Sequence, residues 1–223
     1  MLRTLINRYP EQMCFGLRLI SALGLRNLRK IRGKENRVIN AGAYLKDCCI
    51  EIIGSGNTVK IGRFCRLFHT KITIIGNNNV VELGEYVYSN GGDFYMEDDD
   101  GNIQVGEHTT FAGKVHLACI EGSTLTVGRQ CLFSSDVIVR VGDSHCLTDL
   151  QGNRLNPSRD VHVCDHVWVG ARAMILKGVK IHQDCVVGTG AVVTKGTVSP
   201  NCALAGNPAK VIKTDINWQN DRI

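Results

Sequence analysis

The sequence predicts an all-β solenoid, a prism of stacked triangular coils, and three observations predict it. Aliphatic-Gly pairs recur every 22 residues at Ile61-Gly62, Leu83-Gly84, Val105-Gly106 and Val127-Gly128. A second series, Val169-Gly170, Val187-Gly188 and Ala205-Gly206, recurs every 18. Within that second block every sixth position is aliphatic: Val163, Val169, Ile175, Ile181, Val187 and Val193. A helix of 3.6 residues per turn cannot keep a six-residue step on one face over this span. Three six-residue sides, each a short strand, close a triangle of 18, and such coils stack at about 4.8 Å. Four places after each aliphatic come Val167, Ala173, Val179, Cys185, Ala191 and Thr197, of which Thr197 alone is polar.

Composition agrees. The 223 residues are 43% hydrophobic and 21% charged, which excludes a disordered or collagen-like chain. With 24 Gly, four Pro and 6% aromatics, the core is narrow and built on Val, Ile and Ala. The ten Cys form no CxxC pair, so they read as reduced core or turn residues rather than a disulfide or zinc framework. The apolar stretch from Met13 to Leu25 is interrupted by Arg18 and has no signal-peptide cleavage pattern. The expected compartment is the cytoplasm.

Residues 1–40 carry nine Lys/Arg against Glu11 and Glu35, a charge of +7, while residues 41–223 hold −2. The body therefore has no basic stripe for a nucleic acid, and none is expected as a partner. Residues 1–40 read as a basic helical N-terminal cap, with one or two helices within 1–31 divided near Pro10. Repeat proteins need such caps. The alternative is an amphipathic contact of residues 1–31 with an anionic membrane surface.

The β-helix is expected over 41–212. In its 22-residue coils the aliphatics Val59, Val81, Ile103 and Leu125 precede each pair, with Lys60, Glu82, Gln104 and Thr126 between. That alternation marks a strand with one buried face, and stacking sets Lys60 beside Glu82. Turn residues such as Gly54 to Asn57 and Gly76 to Asn79 come before the strands. The four extra residues per coil bulge at a corner. From Val127 to Val169 is 42 residues, no whole number of coils, and the excess falls in a polar excursion near 142–160. A loop pushed out of a solenoid can wall a site, which makes His145, flanked by Asp143 and Asp149, the candidate functional histidine. His162 and His166, with His116 upstream, are spaced H-x₃-H, and no metal site is expected from them. His69, His108 and His182 read as surface. Trp168 lies at an outward slot, and residues 213–223 read as a polar tail.

The stretches "VWVGARAMILKGVKIHQDCVVGTGAVVTKG" and "AGNPAKVIK" resemble the hexapeptide-repeat acyltransferases. "VGDSHCLTD", then "GNRLNPSRDVHVCDHVWVG" and the closing "INW", are most similar to the sugar and capsular polysaccharide O-acetyltransferases of that family. The resemblance spans roughly Ile50 to Trp218. It implies a left-handed parallel β-helix, exceptional among crossover connections, and a homotrimer with its sites between subunits. It implies acetyl-CoA as acyl-donor co-substrate, with no permanently bound cofactor, and a sugar or polysaccharide acceptor.

The resemblance also assigns roles. His145, in Asp143-Ser144-His145, acts as the base. The chemistry concurs, since a sugar hydroxyl is a weak nucleophile and needs a neutral imidazole to take its proton. Asp143, Asp136 or a main-chain carbonyl would orient the ring. Trp168 lies by the site, and Gly170, Ala171, Gly188 and Thr189 are small corner residues for a pantetheine arm. Thr194, Lys195 and Lys210 match positions near the phosphates, with Pro208 fixing the turn before Lys210. The expected function is sugar O-acetylation. Transfer to the amine of an amino sugar, a metal-dependent hydratase and a non-catalytic scaffold are the rivals, and Cys146 raises an acyl-cysteine route.

Overall fold

Parallel strand pairing carries the body of the chain. The computed structural model describes residues 10–23 and 26–220. Each coil contributes one strand to each of three sheets, of 8, 8 and 9 strands, and neighbours in a sheet come from successive coils. Strands Leu28–Arg32, Arg37–Asn40 and Tyr44–Lys46 make the first coil, and Val192–Val193, Gly196–Val198 and Ala203–Gly206 the last. The ninth strand of the third sheet, Ala209–Lys213, folds back antiparallel on Ala203–Gly206. The predicted β-solenoid is therefore the fold.

The core is the column of inward aliphatics, with Phe94, Phe111 and Phe133 wholly buried in its middle coils. Their ring centroids lie 5.7 and 5.1 Å apart in sequence. The turn residues form a second column. Asn57 Oδ1 accepts from the Asn79 N–H at 2.9 Å, and Asn79 Oδ1 from the Gly101 N–H at 2.8 Å. Buried side-chain amides thereby satisfy the turn backbone of the next coil. Lys60 and Glu82 stand side by side at 3.6 Å, an exposed pair worth about 0–1 kcal/mol. All ten cysteines are free. Burial pushes the Cys65 and Cys131 thiols up to about 12 and Cys119 to about 11, so they are protonated core residues.

Three expectations shift. First, the expected cap boundary at residue 40 moves back, because the first coil already begins at Leu28, in register with Cys49. All five residues of Leu28–Arg32 are exposed, so no alternation advertised the strand. The helical segment is α1, Pro10–Ala22, whose proline suits the first helical turn. The part before Pro10 lies outside the described residues. Helix α1 rests on the third-sheet edge through Cys14, against Gly42 at φ +137, where a Cβ would come within 2.4 Å of Cys14 Cβ. Ser21 Oγ accepts the Leu45 N–H at 3.0 Å.

Second, Val127 pairs with Val163, and Val169 pairs with Phe133. The two aliphatic-Gly series thus stand at different corners, and the 18-residue period starts at Val163. The step across this coil is 36 residues. The excursion therefore occupies the length of one further coil without adding one. Third, the tail docks. The Ile216 N–H donates to Asn201 O, and the Trp218 indole N–H donates to His166 O at 2.8 Å, leaving Trp218 only 8% exposed. Among the described residues no helix is long and apolar enough to cross a membrane.

Candidate active site

The excursion leaves the prism between strands Val137–Arg140 and Val161–Val163, at the edge joining the first and second sheets. It is a small hairpin. The Leu155 N–H donates to Leu147 O at 2.7 Å, and Asp149 Oδ1 accepts the Gln151 and Asn153 N–H groups at its turn. Two carboxylates of the prism edge hold its stems. Glu121 takes Arg154 and the Ser158 N–H, and the Arg154 guanidinium holds its carboxyl below the usual range.

Asp143 anchors the other stem. Its Oδ2 accepts from Lys177 Nζ and, at 2.8 Å, from Asn156 Nδ2. Asn156 Nδ2 also donates to the main-chain oxygen of His145 at 2.8 Å, and Asn156 Oδ1 accepts the Leu147 N–H at 2.6 Å. Lys177 Nζ closes the ring on Asn156 O at 2.9 Å. The main-chain oxygen of His145 is thereby held by Asn156, while its side chain is exposed. Lys177, then Asn156, hold the Asp143 carboxyl below its ordinary value. Asp143 is thus committed to the loop brace and accepts no hydrogen bond from the His145 imidazole. Sequence reasoning missed Asn156 and Lys177. Asp143 and Lys177 lie 34 positions apart, and only the coil register brings them together.

The remaining expected site residues divide between two edges. Gly170 and Ala171, with Gly188 and Thr189 one coil on, occupy the edge joining the third sheet to the first. The Gly170 N–H donates to Val187 O and the Gly190 N–H to Ala171 O. A Cβ on Gly170 would stand 2.6 Å from Thr189 N, so coil stacking itself demands glycine there. Trp168 lies beside this edge on the third sheet, between Leu132 and Val186, 39% exposed and 6.1 Å from the Trp218 ring. Lys210 is on the returning strand opposite Ala205. Thr194 and Lys195 stand on the other edge, below Lys177 and the excursion. One chain therefore groups Asp143, His145, Thr194 and Lys195 on one side of the first sheet. It groups Trp168, Gly170, Ala171, Gly188, Thr189 and Lys210 on the other.

Three of the other histidines have local partners. His116, on the first sheet, has Nδ1 2.9 Å from Asp93 Oδ2. His162, on the second, has Nδ1 2.8 Å from Thr126 Oγ1. His166 pairs with Asp184 at 2.8 Å and stacks on Trp218 at 4.4 Å.

The brace sets a pH dependence. A carboxyl lowered in the folded state stabilises above its unfolded value, and that contribution is lost as pH falls through the lowered one. Acidification through the carboxylate range is therefore expected to strip protection from the Leu147 and Leu155 amides before the core strands. Hydrogen exchange, corrected for its intrinsic pH dependence, measures this. Lys177→Met should produce the same loss at neutral pH, and unchanged protection in that variant would remove Lys177 from the brace.

Residues 160–195 match the family model described as bacterial transferase hexapeptide (six repeats). The polysialic acid O-acetyltransferase of Neisseria meningitidis is 34% identical over 170 residues, covering 76% of this chain and 78% of that protein. The polysialic acid O-acetyltransferase of Escherichia coli O1:K1 is 33% identical over 117 residues, 52% of this chain, and the match spans only 38% of that longer protein. A solved polysialic acid O-acetyltransferase structure superimposes with a TM-score of 0.81 at 30% identity, covering 88% of this chain and 92% of that one.

Proposed function

The chain belongs to the hexapeptide-repeat acyltransferases, and on that premise we propose that it moves an acetyl group from acetyl-CoA to a hydroxyl of a sugar or bacterial surface polysaccharide, with His145 as general base. The observation that carries the reading is the braced excursion. It is a polar hairpin in which the Asn156 amide of the brace holds the main-chain oxygen of an exposed histidine. Rigid backbone under a free imidazole is what a base needs to meet a hydroxyl reproducibly. The relatives matched over most of their length are O-acetyltransferases by name, which favours a hydroxyl over an amine as acceptor.

In the step, the neutral His145 ring takes the acceptor proton as the hydroxyl oxygen attacks the thioester carbonyl. The tetrahedral adduct collapses with loss of the thiolate, which regains that proton from the imidazolium. No enzyme-bound acyl group forms. The two edges lie on opposite sides of the first sheet, so joining His145 to Trp168 requires the excursion of one subunit to reach the Trp168 edge of the next. A closed trimer meets that need with three equal sites. Dependence on acetyl-CoA would place the reaction on the cytoplasmic side.

Thiol release from acetyl-CoA, followed with hydroxyl-only and amino-sugar acceptors, tests the reading, and release with amines alone would overturn it. Lys210→Ala is expected to raise KM for acetyl-CoA several-fold with kcat little changed, because a phosphate contact is ground-state binding. An unaltered KM removes Lys210 from the donor site.

A further inference from the structure

Among the described residues, the N-terminal end of the prism leaves large apolar side chains exposed. Cys14 is the buried residue of α1. Phe15 is 62% exposed and Leu23 74%, with Leu19 and Ile20 close to half. The first coil adds the exposed Leu28, Ile31 and Ile39. A helix serving only to close the first coil would turn these side chains inward. Seven exposed cations interleave with them: Arg18, Arg26, Arg29, Lys30, Arg32, Lys34 and Arg37. The acids of the same region are Glu11, which lies 3.7 Å from Arg63, and Glu35.

We infer that this end, α1 with the first coil, docks on an anionic lipid surface. The two components of the patch match the two layers of a membrane interface. Phe, Leu and Ile enter the headgroup–acyl boundary, while Arg and Lys meet phosphate and carboxylate headgroups. A second copy of the chain is a poor occupant, because pairing the patch with itself sets seven cations against seven. A nucleic acid backbone would satisfy the cations but leave the apolar side chains in water. The face is one end of a rod, so docking fixes the rod upright. The excursion in the sixth coil then stands roughly 25 Å from the lipid, five strand spacings of about 4.8 Å. The protein would meet membrane-tethered acceptors at a set height. The inference is independent of the role of His145.

Vesicle co-sedimentation of the full chain tests it. Binding is expected to phosphatidylcholine–phosphatidylglycerol vesicles, to fall with added salt, and to be absent from phosphatidylcholine alone. Arg29→Gln, Lys30→Gln and Arg32→Gln together should weaken it about 100-fold, at about fivefold per cation. Phe15→Ser, Leu19→Ser and Leu23→Ser together should also abolish it, with oligomeric mass, circular dichroism and acetyl transfer to a soluble acceptor unchanged. Absence of wild-type binding overturns the inference, as does equal binding to neutral vesicles. A serine variant of altered oligomeric mass would make the patch an interface between copies. Displacement from vesicles by excess duplex DNA, with tighter binding to the DNA, would make it a nucleic-acid surface.

Discussion

Replacing His145 with alanine is expected to lower acetyl transfer at least ~10²-fold, within the ~10²–10⁴ range of general-base help, while thermal stability and oligomeric mass stay as they were. The stability half follows from the excursion. Its brace uses the main-chain oxygen of His145, the side chains of Asp143, Asn156 and Lys177, and the Glu121–Arg154 pair. The imidazole contributes to none of these. The loss should appear in kcat, since a base acts as the proton moves and not as substrate binds. Activity within tenfold of wild type would end the assignment. A mixing experiment carries the argument to assembly. His145→Ala subunits refolded together with Trp168→Ala subunits should regain part of the activity if one subunit supplies the base and its neighbour the indole. Inactive mixtures would place both residues in one subunit's site, and full activity of Trp168→Ala subunits alone would remove Trp168 from it.

Phe111→Ala is expected to cost about 3–5 kcal/mol, the usual range for deleting a buried aromatic. Phe111 has no exposed surface and touches Phe94 edge-on and Phe133 at a tilt. Its removal opens a cavity in the fourth coil that strands pinned by parallel ladders on both sides cannot collapse to fill. For a chain of this length that is a fall in melting temperature of about 6–20 °C. In a solenoid each coil leans only on its neighbours, so the damage should be local, and exchange protection should fall first in Thr110–Phe111 and Leu132–Phe133. Unfolding in denaturant measures the size, and a change under about 1 kcal/mol would show that the middle coils can repack.

The sequence by itself determined the solenoid, its inward aliphatics, the polar excursion and the position of His145. Each of these is a local pattern repeated at fixed spacing, and repetition makes a weak signal legible in one chain. Tertiary structure decided the rest. The aliphatic-polar-aliphatic motif is alike on all three faces, so it could not tell that Val127 meets Val163 rather than Val169. The strand Leu28–Arg32 was hidden because an end coil has one neighbour and exposed faces, which removes the demand for alternation. Asp143 was read as a partner of the nearby His145, yet Lys177, from the next coil, claims it. Trp218 was read as part of a polar tail, and it seals His166 from 52 positions away. The division of the expected site residues between two edges of one sheet likewise follows from register. Register is set by backbone ladders between coils and the close packing beneath them, and no stretch of sequence shorter than a coil records it.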